Sequence, residues 1–248
     1  MDYSDWYNYD RDTLADIPSR GAERFGEAPA LAMVSGEPLT YRDLDRFTRR
    51  AAALLESKGI RKGDRVAILS ENRPEWGVAS YGIARSGAVS VPILTGFPSE
   101  QIGNIIGHSG AKAVFASERL RKKLGSSPID VLPIESLALP RADEALEAAG
   151  RAYKSPALES NDLAAIVYTS GTTGRPKGVL LTHRNFIADA LACHSVVILD
   201  EKDVLLSILP MAHTYEYTIG FIIPTMSGAS IYYLDRPPSA TALLPALK

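Results

Sequence analysis

Between Tyr168 and Gly178 the chain reads Tyr-Thr-Ser-Gly-Thr-Thr-Gly-Arg-Pro-Lys-Gly, which gathers four hydroxyls, three glycines and a lysine into one short stretch. Glycines let backbone N–H groups turn toward an anion without a Cβ in the way. Hydroxyls donate further hydrogen bonds, and a lysine adds a mobile positive charge. Such a loop suits a polyphosphate. Its spacing is not that of a Walker loop, because Arg175 and Pro176 separate Gly174 from Lys177 and a glycine follows the lysine. It is not a G-x-G-x-x-G dinucleotide loop either. On composition alone, a flexible connection without chemistry is the competing reading.

The elements around this loop are those that would hold it. Ala164 to Tyr168 is a short apolar run with β-branched residues, the pattern of a buried strand. Val179-Leu180-Leu181 follows, and a helical pattern opens near Thr182 with Phe186, Ile187, Ala190, Leu191 and His194 at core spacing. Upstream, Thr40 and Asp43 form a capping-box pattern before a helix that carries Leu44, Phe47, Ala51, Leu54 and Leu55 on one face and stops at Gly59. Strands are expected at Arg65–Leu69, Ala88–Leu94, Lys112–Ala116 and Val131–Ile134. Helices are expected from Pro74 to about Gly87, over Pro98–Ser109, over Ser117–Leu124 and up to Ala149. Strands separated by helices of that size imply right-handed crossovers and an α/β fold with a mostly parallel sheet flanked by helices. Ligands bind such sheets at the carboxyl ends of the strands, where the hydroxyl-rich loop falls.

The remaining composition narrows the class. The chain has 248 residues, 46% of them hydrophobic, enough for a substantial core. A net charge of −2 gives no sign of a nucleic-acid partner. The single cysteine, Cys193, excludes an internal disulfide and fits a cytoplasmic location. His108, His183, His194 and Cys193 lack metal-ligand spacing, so no metal site is expected on protein ligands. Arg119, Arg121, Lys122 and Lys123 read as a solvated helix face, with a coenzyme A or membrane contact as the other reading. Trp6, Tyr7 and Tyr9 read as covering the body of the fold. The apolar stretch Thr218–Leu234, broken by Pro224, Ser227 and Gly228, reads as core strands rather than a membrane span.

The full string T-S-G-T-T-G-x-P-K-G resembles the signature loop of the adenylate-forming superfamily of AMP-dependent synthetases and ligases. That superfamily holds acyl-CoA synthetases, peptide-synthetase adenylation domains and luciferases. Gly63 to Trp76 is similar to the GDRVAI-x-x-x-N-x-x-E-W segment of acyl-CoA synthetases, and Gly87 to Pro92 to the G-A-V-x-V-P strand after it. Leu209-Pro210-Met211-Ala212-His213-Thr214-Tyr215-Glu216 resembles L-P-L-x-H-x-x-E. With Leu181 to Asn185 it leans toward long-chain fatty acyl-CoA ligases.

The resemblance implies a two-step reaction. A carboxylate attacks the α-phosphate of ATP, releasing pyrophosphate, and the thiol of coenzyme A then displaces AMP. Thr169, Ser170, Gly171, Thr172, Thr173 and Gly174 would wrap the β,γ-phosphates, and Lys177 would add charge, unless it is a solvated lysine beside a turn. His213 would lie near the junction of the acyl and nucleotide sites; by its own residues it reads also as a satisfied core histidine. Glu216 would be the acid of H-x-x-E, or a surface glutamate. The substrates implied are ATP, a fatty acid and coenzyme A, with Mg2+ held by an acid outside this chain. A peripheral membrane contact of the whole enzyme stays open.

By the same resemblance the chain is an N-terminal piece of a longer enzyme, inactive by itself. Residues 60–198 form a first α/β subdomain carrying the 168–178 loop. Residues 1–59 and 199–248 belong to a second, incomplete one, and the C-terminal lid domain is absent. A non-catalytic nucleotide- or pyrophosphate-binding fragment and an adenylation domain for another carboxylic or amino acid are the alternatives. The incomplete subdomain is expected to expose Phe221, Ile222 and Ile223 and to self-associate.

Overall fold

Apolar strands and capped helices assemble here into two sheets around a shared core. The computed structural model describes residues 6–125, 129–138, 144–169 and 177–247. The chain opens with α1 (Asp16–Phe25), β1 (Pro29–Met33), β2 (Leu39–Thr40) and α2 (Tyr41–Ser57). Thr40 caps α2 through a complete capping box with Asp43, satisfying N–H groups that the first turn leaves without helical partners. Leu44, Phe47, Ala51 and Leu55 are buried along the face of α2 that packs on α1 and α3 (Pro74–Arg85).

From β3 (Arg65–Leu69) onward, strand and helix alternate: α3, β4 (Val89–Pro92), α4 (Ser99–Ser109), β5 (Ala111–Ala116) and the short α5 (Glu118–Arg121). Then come β6 (Asp130–Pro133), α6 (Glu144–Ala152), β7 (Leu163–Thr169), β8 (Lys177–Thr182) and α7 (His183–His194). The six strands from β3 to β8 form one sheet in the order β6-β5-β3-β4-β7-β8, parallel except for the final antiparallel β7/β8 pair. Val66, Ala67, Ile68 and Leu69 are all buried, as are Val89 to Pro92. Such continuous apolar strands are what a parallel sheet covered on both faces requires.

The second sheet joins the two ends of the chain. Its order is β2-β1-β10-β9, with β9 (Val204–Ser207) and β10 (Ser230–Tyr233) parallel to β1. Between the sheets lies α3, whose Trp76 meets Tyr217 edge-on at 5.2 Å and whose Tyr81 stacks on Phe221 at 4.8 Å. Hydrogen bonds tie the same faces: Ser80 to Tyr217 and Tyr81 to Thr225, each at 2.5 Å.

Two expectations fail in this region. Residues 218–227 do not form strand; a π-helical segment (Glu216–Ile222) runs into α8 (Ile223–Ser227) before β10. β-Branched and aromatic residues favour strands only weakly, and packing on α3 overrides them. Pro224 sits in the first turn of α8, directly after the π-helical segment. For the same reason Phe221, Ile222 and Ile223 are not uncovered: they are 0%, 0% and 1% exposed, inside the core shared by both sheets. Among the exposed apolar residues are Val196, Ile198 and Val204, on the edge strand β9 and the segment before it, and Val179 and Leu180 on the other sheet's edge strand β8. At the N-terminus, Tyr7 is buried, Trp6 packs on Phe25, and Tyr9 lies under the guanidinium of Arg184. A last short helix, α9 (Ala240–Ala246), buries none of its residues. No helix among the described residues is long and apolar enough to cross a membrane.

Candidate functional site

The parallel strands β3, β4 and β7 end on one edge of the six-stranded sheet, and the hydroxyl-rich loop leaves from the end of β7. Tyr168 stands opposite Gly178 and Thr169 opposite Lys177 in the antiparallel pair that closes the loop. A Cβ on Gly178 would lie 2.8 Å from Ile166 Cγ2 and 3.3 Å from the Tyr168 ring, so only glycine allows these strands to approach here. Tyr168 is buried, and its hydroxyl lies 2.7 Å from Nδ1 of His108 at the end of α4. Thr169 and Lys177 are exposed, side by side at the loop's root. Ser170, Gly171, Thr172, Thr173 and Gly174 lie outside the described residues.

A cleft of about 180 Å3 opens beside the same sheet edge, past the carboxyl ends of strands from both sheets. The six-stranded sheet contributes Ser70, Glu71, Asn72, Thr95 and Arg119, and the other contributes Ser207, Pro210 to Ala212 and Leu234 to Pro238. Arg119 pairs with Glu71. Burial alone would raise the Glu71 carboxyl, but hydrogen bonds to it and the Arg119 charge hold it below the usual carboxylate range. Lys123 donates to the carbonyls of Thr95 at 2.7 Å and Phe97 at 3.0 Å. The basic run is mostly solvated, with Arg119, Arg121 and Lys122 exposed; Arg119 also lines the cleft, and only Lys123 is partly covered.

The H-x-x-E pair does not converge. His213 is exposed; its N–H donates to Pro210 O at 2.9 Å, and its Nδ1 accepts from Tyr215 N at 3.3 Å. That excludes the core-histidine reading. Glu216 is 6% exposed and points inward, where Ser207 Oγ donates to it at 2.5 Å, which excludes the surface-glutamate reading. Burial pushes its carboxyl up, and the Ser207 hydrogen bond offsets this only in part.

Two features escape sequence reasoning. His183 is buried, with Nδ1 accepting the Leu14 N–H at 3.2 Å, and burial lowers its pKa to about 4. Asn72 bridges the sheets: its Nδ2 donates to Ser207 Oγ at 2.9 Å and to Leu209 O at 2.6 Å, and its Oδ1 accepts from Met211 N at 2.9 Å. The sequence marks Asn72 by its place after a strand and as the Asn of the GDRVAI-x-x-x-N-x-x-E-W segment, but neither signal shows that it bridges the two sheets. Among the described residues no three of His, Cys, Asp and Glu gather as a metal site would require.

Comparison with known proteins bears on this arrangement as a whole. The AMP-binding enzyme family matches residues 19–248. Tyrocidine synthase 3 of Brevibacillus parabrevis is 31% identical over 220 residues, covering 88% of this chain and 3% of that protein. A crotonobetaine/carnitine–CoA ligase of Salmonella paratyphi A is 31% identical over 239 residues, covering 89% of this chain and 46% of the ligase. The long-chain-fatty-acid–CoA ligase FadD13 of Mycobacterium tuberculosis is 35% identical over 209 residues, covering 80% and 40%. The chain thus spans less than half of either ligase.

Among solved structures, the inhibitor-bound N-terminal domain of FACL13 from Mycobacterium tuberculosis superposes with a TM-score of 0.79 at 29% identity. It covers 95% of this chain and 60% of that one. The signature loop, the parallel sheet that carries it and a match over almost the whole length have one explanation: this chain belongs to the AMP-binding, adenylate-forming enzyme family.

Proposed function

We propose that this chain is the N-terminal part of an ATP-dependent, AMP-forming acyl-CoA ligase acting on a long-chain fatty acid in the cytoplasm. The observation that carries the reading is the hydroxyl- and glycine-rich loop, closed by the Thr169–Lys177 pair at the carboxyl edge of a parallel sheet. In the proposed reaction a carboxylate oxygen bonds to the α-phosphorus of ATP as the bond to pyrophosphate breaks. The coenzyme A thiol then attacks the acyl carbon, and AMP leaves. The contribution of this chain is to the first step. Thr169, Ser170, Gly171, Thr172, Thr173 and Gly174 donate to the departing β,γ-phosphate oxygens, and Lys177 adds charge beside them. Preorganised donors of this kind act by stabilising charge as it develops.

Magnesium would be held by an acid outside this chain. The fatty acyl preference rests on the Leu209 to Glu216 stretch and on the FadD13 relative. The tyrocidine synthase relative favours the second reading, an adenylation domain for another acid. The subdomain division at 59/60 and 198/199 belongs to the same proposal. In the whole enzyme, exchange of labelled pyrophosphate into ATP should depend on long-chain fatty acids. Exchange dependent on carnitine or an amino acid instead would overturn the acyl assignment. Residues 1–248 alone should form no acyl-hydroxamate above a blank.

A further inference from the structure

Glu216 is a buried carboxyl that no cation among the described residues neutralises, and its one hydrogen-bond partner among them is Ser207. Leaving such a group inside a protein is costly, and the structure builds a seat for it. A Cβ on Gly220 would lie 2.5 Å from Glu216 Cδ and within 2.8 Å of both carboxyl oxygens. The wide turns of the π-helical segment that starts at Glu216 bring those two positions together.

The hydrogen bonds leading away from the carboxyl have a fixed direction. Asn72 Nδ2 donates to Ser207 Oγ, so the Ser207 hydroxyl is free to donate to Glu216, and Asn72 Oδ1 accepts the Met211 N–H. We infer that Glu216 is a positioning residue for the proposed adenylation: seated against Gly220, it orients Ser207 and through it Asn72, which fixes the Leu209–Met211 segment at the rim of the cleft. The inference rests on the acyl-CoA ligase reading. What the relay needs from Glu216 is an acceptor oxygen, which a glutamine carbonyl also supplies.

Two measurements test it. In this chain, hydrogen exchange at the Met211 amide should quicken roughly fivefold when Glu216→Met or Ser207→Ala cuts the relay. Gly220→Ala, which displaces the carboxyl while removing no polar group, should do the same. Glu216→Gln should restore protection. In the whole enzyme the same three cutting variants should lower kcat of pyrophosphate exchange about tenfold with KM for ATP unchanged, as misplacement without lost binding does. Glu216→Gln should recover most of it, and Glu216→Met with Ser207→Ala should be no worse than either alone.

Unchanged Met211 protection in Glu216→Met overturns the relay. Protection kept in Glu216→Gln while its turnover falls as far as in Glu216→Met overturns the positioning role, because the carboxylate then acts directly. If Met211 responds as expected but the whole enzyme exchanges pyrophosphate with no acid, the ligase reading fails and takes the positioning role with it. The hydrogen-bond chain would survive that result.

Discussion

Lys177 stands at the root of the loop, exposed and opposite Thr169. If its ammonium meets the departing phosphates, Lys177→Ala in the whole enzyme should raise the adenylation barrier by about 3 kcal/mol, the usual cost of one preorganised donor. A Thr172→Ala/Thr173→Ala double change should act in the same direction. Single-turnover rates report the barrier, and fatty-acid affinity measured in parallel should stay constant. His183 supports a prediction of another kind. Its pKa falls from an ordinary 6.5 to about 4 on folding, so the unfolded chain takes up the proton first as pH drops. The stability tied to neutral His183 is whole above pH 6.5 and drains away between there and pH 4. Linkage puts the loss at about 2 kcal/mol by pH 5. Urea unfolding at pH 7.5 and 5 should show this loss, and His183→Asn, which can still accept from Leu14, should remove its share. The loop can be proposed from sequence because its hydroxyls, glycines and lysine sit in consecutive residues. The fates of His183 and Glu216 cannot, because Leu14, Ser207 and Asn72 decide them from other parts of the chain.

At the level of single elements, caps carry readable information. Thr40 and Asp43 form the expected capping box, and Thr182 with Asn185 builds a second one at the start of α7. Thr40→Ala should cost about 1 kcal/mol in urea denaturation, the typical value of an N-cap, without altering the β3–β8 sheet. The same local reasoning misplaces residues 218–227, because Tyr217, Phe221 and Ile222 would suit a strand as well as a helix. What decides is the aromatic surface of α3, more than a hundred residues earlier, onto which these side chains fold. Periodicity therefore recovers the alternating elements of the six-stranded sheet and fails where one segment is shaped wholly by another.

For the molecule as a whole, the edge strand β9 is an exposed liability. Val204 is 69% exposed on it, with Val196 and Ile198 close by in sequence. A strand edge beside apolar side chains is prone to pair with a second copy. Sedimentation of this chain should show association that grows with concentration, and Val204→Lys should reverse it. A monomer at every concentration would remove the expectation. The second sheet also has a history in time. Leu31 pairs with Ile231, so β1 leaves the ribosome about 200 residues before β10. At about 5–20 residues per second, roughly 10–40 s pass before its partner exists. Throughout that interval Ala30, Leu31 and Ala32, wholly buried in the finished fold, have only one side of their sheet to lean on. The six-stranded sheet can close first, while β1 stays within reach of chaperones. The six-stranded sheet would thus be assembled before the sheet that completes the cleft.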